Sequence, residues 1–373
     1  MGKRLGGSTL DWQRRLLLAV RSGTRPISAV VLALAVSAVL ILLQGANPLA
    51  AYYALLKGAF GNKVALANTC VRTAPLLLGG LGIALGIRAG LFNVGAEGQL
   101  YVGAAAATAV GLIPMSVPPW LHLALALLAG VAGGVLAAVI PGYLRGYRDV
   151  NEVVVTLMLN YVGLHFVSFL VEEPTPLHDP TTFYPQSPPI LPSALLPRLV
   201  RGTSLHAGIL FGIVLVVVLH LILRYTTFGY KVRLVGVNPE AARYAGIKVE
   251  RLLMVVMLIS GGFAGLMGAG EVLGLKRRLF DHFSGGIGYD AISVALLGAG
   301  DPFGVMLSAF FFGALRAGAG LMQQATGVQT AMADVIQALV ILFVVAIGFA
   351  RSSGYGARSV GSLSTGEGTV NGV

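Results

Sequence analysis

Arg224-Tyr-Thr-Thr-Phe-Gly-Tyr-Lys-Val-Arg-Leu-Val-Gly-Val-Asn-Pro-Glu-Ala-Ala-Arg-Tyr-Ala-Gly-Ile-Lys-Val-Glu-Arg251 is a polar, basic island between two long apolar runs, 205–223 and 252–273. Runs of this length without strand-type alternation are membrane-spanning helices. The island is therefore a loop at a membrane surface. It carries its own short helix. Asn238 is suited to cap it, because its side chain accepts an orphan backbone N–H. Pro239 suits the first helical position, and Glu240 favours the positive end of the helix dipole. Ala241 and Ala242 propagate the helix through Arg243 and Tyr244, and Gly246 can take the left-handed conformation that ends it. A capped helix between two spans is either a surface offered to a soluble partner or a solvated loop.

Composition agrees with the membrane reading. Hydrophobic residues make up 56% of the 373 and charged residues 11%, against roughly a quarter charged in soluble domains. Gly is frequent, at 51 residues, which suits close helix packing in lipid. The one cysteine, Cys70, excludes an internal disulfide. The net charge of +11 is explained by Lys and Arg in loops, so no nucleic-acid partner is expected.

Ten apolar segments lie near 27–43, 64–87, 91–113, 120–141, 152–171, 205–223, 252–273, 286–300, 303–322 and 333–350. They predict an all-α integral membrane protein, a polytopic bundle of about ten transmembrane helices, with both termini on one side. Residues 1–25 form a basic N-terminal arm, 26–350 the membrane domain and 351–373 a Gly/Ser-rich tail expected to be disordered. The positive-inside rule puts the arm, Arg88, Arg145, Arg148, the 224–251 loop and the tail in the cytoplasm of a cell-membrane protein. The proline-rich loop 172–203 falls outside. Lys276, Arg277 and Arg278 would then also lie outside, against the rule. With Asp281, Gly285, Gly286 and Gly288 following, they mark a broken or re-entrant segment near 275–290.

The ladders Gly82/Gly86/Gly90, Gly130/Gly134 and Gly261/Gly265 signal close helix approach. Gly79–Gln99 and Gly261–Asp290 share an order of Gly-rich helix, polar break and helix, a faint internal repeat. Within the first of these, Glu97 sits six residues into a predicted span, about 9 Å from its start at 1.5 Å per residue. An ionisable group at that depth faces a cavity or a partner. Asn93, Gly95 and Gly98 allow the helix to break around it. The functional reading is a hinge or pathway element including Gln99. The structural one pairs Glu97 with Arg72 or Arg88, both read as structural intramembrane charges. Asn160, mid-span, is a pathway candidate. Asn151 and Glu152 read as a cap, and Glu271, Asp290, Asp334 and Gln337 are further polar groups near spans. The six histidines show no ligand spacing. No phosphate loop, zinc-protease or nucleophile-elbow motif occurs, so the chain is not expected to be an enzyme. Any ATP used in transport is hydrolysed by another protein.

The sequence resembles the membrane permease subunits of ABC importers of the simple-sugar and nucleoside type, related to ribose and branched-chain amino-acid permeases. The resemblance rests on Ala74–Gly82 with Arg88–Gln99, on Val150–Tyr161, on Val235–Ile247 with Ser260–Gly265, and on Gly288–Gly298. Asn151-Glu-Val followed by Thr156-Leu-Met-Leu-Asn-Tyr161 is most similar to the nucleoside branch. Val94 and the basic Lys276–Arg278 depart from the family pattern. The resemblance implies a pore made with a second permease subunit, identical or homologous. It also implies an ABC ATPase subunit that binds ATP and Mg, and an extracytoplasmic substrate-binding lipoprotein. No cofactor is expected in this chain itself. The family's coupling helix maps onto Asn238–Gly246. The implied mechanism is alternating access, with Asn93, Gln99 and Asn160 offering hydrogen bonds to a small polar solute. Two rival readings stand beside it. One is a secondary transporter using Glu97 or Asp290 as a proton relay, and the other is a polytopic membrane enzyme.

Overall fold

A computed structural model describes residues 27–361 except residue 176, with side chains described as far as residue 347. The N-terminal arm and the tail beyond Gly361 lie outside the described residues. The described residues form helices α1 (Ile27–Leu43), α2 (Pro48–Phe60), α3 (Lys63–Arg88), α4 (Ala96–Gly111), α5 (Pro119–Arg148), α6 (Glu152–Val171), α7 (Gly208–Tyr225), α8 (Thr227–Val237), α9 (Pro239–Tyr244), α10 (Val249–Gly270), α11 (Ile287–Leu297), α12 (Pro302–Thr326) and α13 (Ala331–Gly361). Among them there is no β-strand.

Among the described residues, six helices are long and apolar enough to cross a membrane, or seven if α1 and α2 count as one broken span. Ten full spans are not found. Four of the ten segments do not count as full spans of their own: 27–43 is joined to α2 in the bent pair, 333–350 is apolar as a described helix only over Ala331–Ile347, and the other two are short of helix. Two segments expected to span, 91–113 and 286–300, contain helices of only 16 and 11 residues. At 1.5 Å per residue these reach about 24 and 17 Å, short of the roughly 30 Å hydrocarbon layer. The first has lost its opening turn, 91–95, to non-helical backbone, and the second ends at Leu297, where residues 298–300 turn away.

Contacts divide the chain into two units, Leu49–Thr330 and the pair of terminal segments containing α1 and α13. In the terminal unit α1 buries Ala29, Ala33, Ser37 and Ile41, one residue per turn on a single stripe. In the large unit α10 packs against α3, α4 and α5, and α3 against α11 and α12. The small residues read from the sequence make this possible. A Cβ on Gly134 would lie 2.1 Å from the carbonyl oxygen of Gly261, and one on Gly265 would lie 2.2 Å from that of Gly130. The two ladders face each other, backbone against backbone, as close-packed membrane helices require.

The ends of the large unit are distinct. At one end α8 lies beside the turn after Arg88, and Arg88 donates to Gly300 O at 2.7 Å and pairs with Asp301 at 3.0 Å. At the other end the 172–207 loop packs on 277–281. Ser187 N–H donates to Leu279 O (2.7 Å), Ile190 N–H to Arg277 O (3.0 Å) and Asp281 N–H to Pro185 O (3.1 Å). The basic triplet thus belongs to the same end as the proline-rich loop. Asp179 lies 3.6 Å from Arg278, which offsets part of its charge. The hydroxyl of Thr181 and then its N–H hold the Asp179 carboxyl below the usual carboxylate range, with Arg278 adding to the effect. The break near 275–290 is a six-residue π-helix, Glu271–Lys276, followed by non-helical backbone that dips back into the bundle to start α11.

Candidate functional site

Two helices begin inside the large unit and run to opposite ends. The C-terminus of α4 meets the 172–207 loop, where Gly111 O accepts from Leu191 N–H. The C-terminus of α11 leads to Gly300 and Asp301 beside Arg88. Their N-termini meet at Glu97. One carboxylate oxygen accepts from Ser284 Oγ, and the other accepts from the Gly288 N–H at 2.6 Å. Glu97 is buried. It lies in the first turn of its own helix and caps the first turn of the other. Both dipoles therefore present their positive ends to one carboxyl group. Glu97 does not pair with an arginine: Arg88 is taken by Asp301, and Arg72 lies in the electrostatic neighbourhood of Glu271. The faint repeat read from the sequence has this physical form, two broken helices joined head to head, as discontinuous helices do around a transport site.

Asn160 on α6 stitches the break to its neighbours. Its Oδ1 accepts from Gly98 N–H (2.8 Å), and its Nδ2 donates to Val94 O (2.9 Å) and Tyr289 Oη (3.2 Å). Asn93 is occupied in a different way. Its Oδ1 accepts from Gly95 N–H at 2.9 Å, while Nδ2 donates to Gln99 Oε1 at 2.8 Å and Ser260 Oγ at 2.9 Å. These bonds satisfy backbone groups that a broken helix would leave orphaned. A cavity of about 250 Å³ opens here, lined by Glu97, Tyr101, Asn160, Tyr161 and Tyr289 among others. Of the expected pathway residues, Glu97 and Asn160 line it. Gly95, Gly98 and Gln99 line a smaller apolar cavity of about 170 Å³ on the other side of the break, and Asn93 is buried behind both.

The structure adds residues the sequence reading passed over. Ser284, Tyr289 and Tyr101 belong to the cavity or hold its walls. Arg316 pairs with Asp290 between α12 and α11. A lone arginine inside the apolar run of α12 was a legible signal of the same kind as Arg72.

The island end has the expected caps. Asn238 Oδ1 accepts from Ala241 N–H at 3.1 Å, Pro239 is the first helical residue, and Gly246 has φ +78°. Arg243 bridges Glu240 (2.8 Å) and Glu250 (3.0 Å). Ala242 is buried beneath α9, while Tyr244 is 91% exposed and Val237 85%. The helix before it, α8, touches the turn that leads into the site. A Cβ on Gly236 would lie 2.0 Å from Arg88 O. Beyond that turn Phe92 N–H donates to Glu152 at 3.2 Å, and Glu152 also meets Arg145 at 3.1 Å. A continuous path of packed backbone runs from α9 through α8 and residues 88–95 to Glu97.

Residues 65–345 match the model of the family described as branched-chain amino acid transport system / permease component. The chain is 38% identical over 320 residues to the guanosine ABC transporter permease protein NupP of Bacillus subtilis, covering 86% of this chain and 92% of the relative. It is 37% identical to the glucose ABC transporter permease protein TsgB13 of Haloferax volcanii, covering 90% of each. It is 31% identical to the nucleoside ABC transporter permease protein NupB of Lactococcus lactis, covering 86% of this chain and 89% of the relative. No solved structure matches.

Proposed function

The chain belongs to the branched-chain amino acid transport system / permease component family, and on that premise we propose that this ABC importer permease subunit carries a nucleoside inward by alternating access. As a permease component it is not an enzyme, and ATP hydrolysis belongs to a separate subunit. Relatives named for guanosine and for nucleosides, at 38% and 31% identity, support the choice of solute. So does the chemistry of the cavity. A neutral, ring-bearing, polar solute needs aromatic walls and a few fixed hydrogen-bonding groups. Tyr161 and Tyr289 offer the walls, and Asn160 and Glu97 the polar groups.

The observation that carries the mechanism is the contact of Gly236 with Arg88 O. It joins the capped helix Asn238–Gly246 to the break at Asn93–Gln99. An ATPase subunit holding ATP and Mg docks on that helix from the cytoplasm, against exposed Val237 and Tyr244. Its closure moves α8, the 88–95 turn follows, and the two half-helices at Glu97 shift. Both termini lie in the cytoplasm, and the 172–203 loop faces the substrate-binding lipoprotein. A second permease completes the pore.

The test is uptake in vesicles holding the complete transporter, with radiolabelled guanosine and competing uridine or glucose. Asn160→Ala removes three hydrogen bonds around the cavity and lowers uptake at unchanged membrane insertion. Wild-type uptake by this variant removes Asn160 from the pathway. A hexose is the second reading, favoured by the 37% identical glucose permease relative. Glucose outcompeting every nucleoside would establish it.

A further inference from the structure

Between α8 and the start of α10 lies a further cavity, distinct from the two at the helix break. It encloses about 410 Å³, and its lining includes Lys231, Lys248 and Arg251. All three are exposed, and among the described residues none of them forms an ion pair. The nearby acids are already used: Glu240 and Glu250 both bind Arg243, at 2.8 and 3.0 Å. Glu240, Glu250 and Arg243 together carry a net charge of −1, so the three cations on the groove leave this surface with an excess of two positive charges. The position of the groove is set by the chain. Thr227 and Phe228 follow directly on the end of the α7 span at Tyr225, while Leu252 and Val255 lie in the first turns of the α10 span. The groove thus combines three cations with the apolar Leu252 and Val255 at the ends of two helices long and apolar enough to cross a membrane.

We infer that this groove binds an anionic phospholipid, with the headgroup phosphate held by Lys231, Lys248 and Arg251 and the acyl chains lying along Leu252 and Val255. Charge and apolar surface are combined in one groove, as a lipid requires, and basic clusters at the cytoplasmic boundary of spans attract anionic leaflets. One wall is Gly246–Lys248, the linker that joins α9 to α10. A bound headgroup therefore braces the helix on which the partner ATPase is proposed to push. That this end faces the cytoplasm rests on the orientation proposed above; the binding site itself does not.

The experiment uses the full chain purified in a neutral detergent and titrated with phosphatidylglycerol, phosphatidylcholine or inorganic phosphate, with bound lipid counted by native mass spectrometry. Phosphatidylglycerol should be retained in preference to phosphatidylcholine. The triple variant Lys231→Gln/Lys248→Gln/Arg251→Gln should weaken it by roughly a hundredfold, at about a factor of five for each cation. Lys63→Gln/Arg198→Gln/Arg201→Gln removes the same charge elsewhere and should leave retention unchanged. Equal retention of the two lipids, or equal loss in both triple variants, overturns the proposal. Inorganic phosphate binding as tightly as the lipid makes this a soluble-anion site and also overturns it. So does a triple variant that keeps its lipid but no longer retains the ATPase subunit, which would assign the cations to that protein. Because the readout is binding, a chain that holds the lipid but fails to transport any nucleoside refutes the proposed function and leaves this site standing.

Discussion

Gly236→Ala is the sharpest probe of the path from α9 to Glu97. The new Cβ would sit 2.0 Å from Arg88 O, where real Cβ contacts essentially never come under 3.0 Å. The obstacle is backbone, so no side-chain rotation relieves it. Either α8 or the 88–90 turn must move by about 1 Å, the difference between those two distances. Overpacking of this kind costs about 1–3 kcal/mol. If the closed contact is needed for coupling, its population falls by a factor of roughly 5 to 150 at RT ≈ 0.59 kcal/mol. The assay is guanosine uptake and ATP hydrolysis measured on the same vesicles. Uptake should fall within that range while hydrolysis by the docked ATPase persists, since α9 and its caps are untouched. Gly320→Ala is the control, because a Cβ there meets nothing within 4 Å. Wild-type uptake by a well-inserted Gly236→Ala protein would refute the reasoning and make α8 a passive linker.

Glu97→Leu leaves the Gly288 N–H and Ser284 hydroxyl buried without their acceptor, which should cost about 1–3 kcal/mol for each group; Glu97→Gln keeps part of the bonding and should cost less. A thermal melt in detergent that ranks the two variants the other way would rule out the shared helix cap. Asp290→Asn removes the charge that pairs with Arg316 and should destabilise by about 1.5–3 kcal/mol, the worth of a hydrogen bond to a charged group. Arg316→Gln combined with it should recover part of the loss, and additive losses in the double variant would show that the pair does not interact. His206 gives a pH signature. Burial lowers its pKa to about 4 from 6.5, and its Nδ1 accepts from Gly208 N–H at 3.2 Å. Between those two values the unfolded chain binds the proton that the folded one refuses. Stability is thus full above about pH 6.5 and falls by about 3 kcal/mol as the pH drops towards 4, at 1.36 kcal/mol per unit. His206→Gln should flatten that part of the melting profile; an unchanged slope would remove His206 as its source.

Much of the architecture was legible because it depends on neighbours in the chain. Apolar runs announce spans, and Asn238, Pro239 and Gly246 announce a capped helix through bonds reaching three to five residues. Gly130/Gly134 and Gly261/Gly265 announced close packing, though not that the two ladders meet each other. Hydropathy marks ten apolar runs, more than the six or seven helices of span length among the described residues, because it responds to an apolar run whether or not all of it is helical. In 91–113 the first residues are apolar enough to count, yet their backbone is held open by Asn93 and Asn160; in 286–300 it is the last residues, 298–300, that count without being helical.

The sequence alone determined that this chain lies in a membrane as a helical bundle, that it carries a break around Glu97, and that a capped polar helix stands between two of its spans. Each of these follows from composition, periodicity or local hydrogen bonding, which need no partner from far along the chain. Only the tertiary structure decided what each polar group does. Glu97 meets Ser284 and Gly288, about 190 residues away, and so bridges two helix N-termini instead of pairing with Arg72 or Arg88. Arg88 goes to Asp301, and Gly236 rests on the backbone of Arg88. A buried charge must find a counter-group, but which one it finds is set by which helices pack together, and close-packed glycine faces make that choice without any signature in the charges themselves.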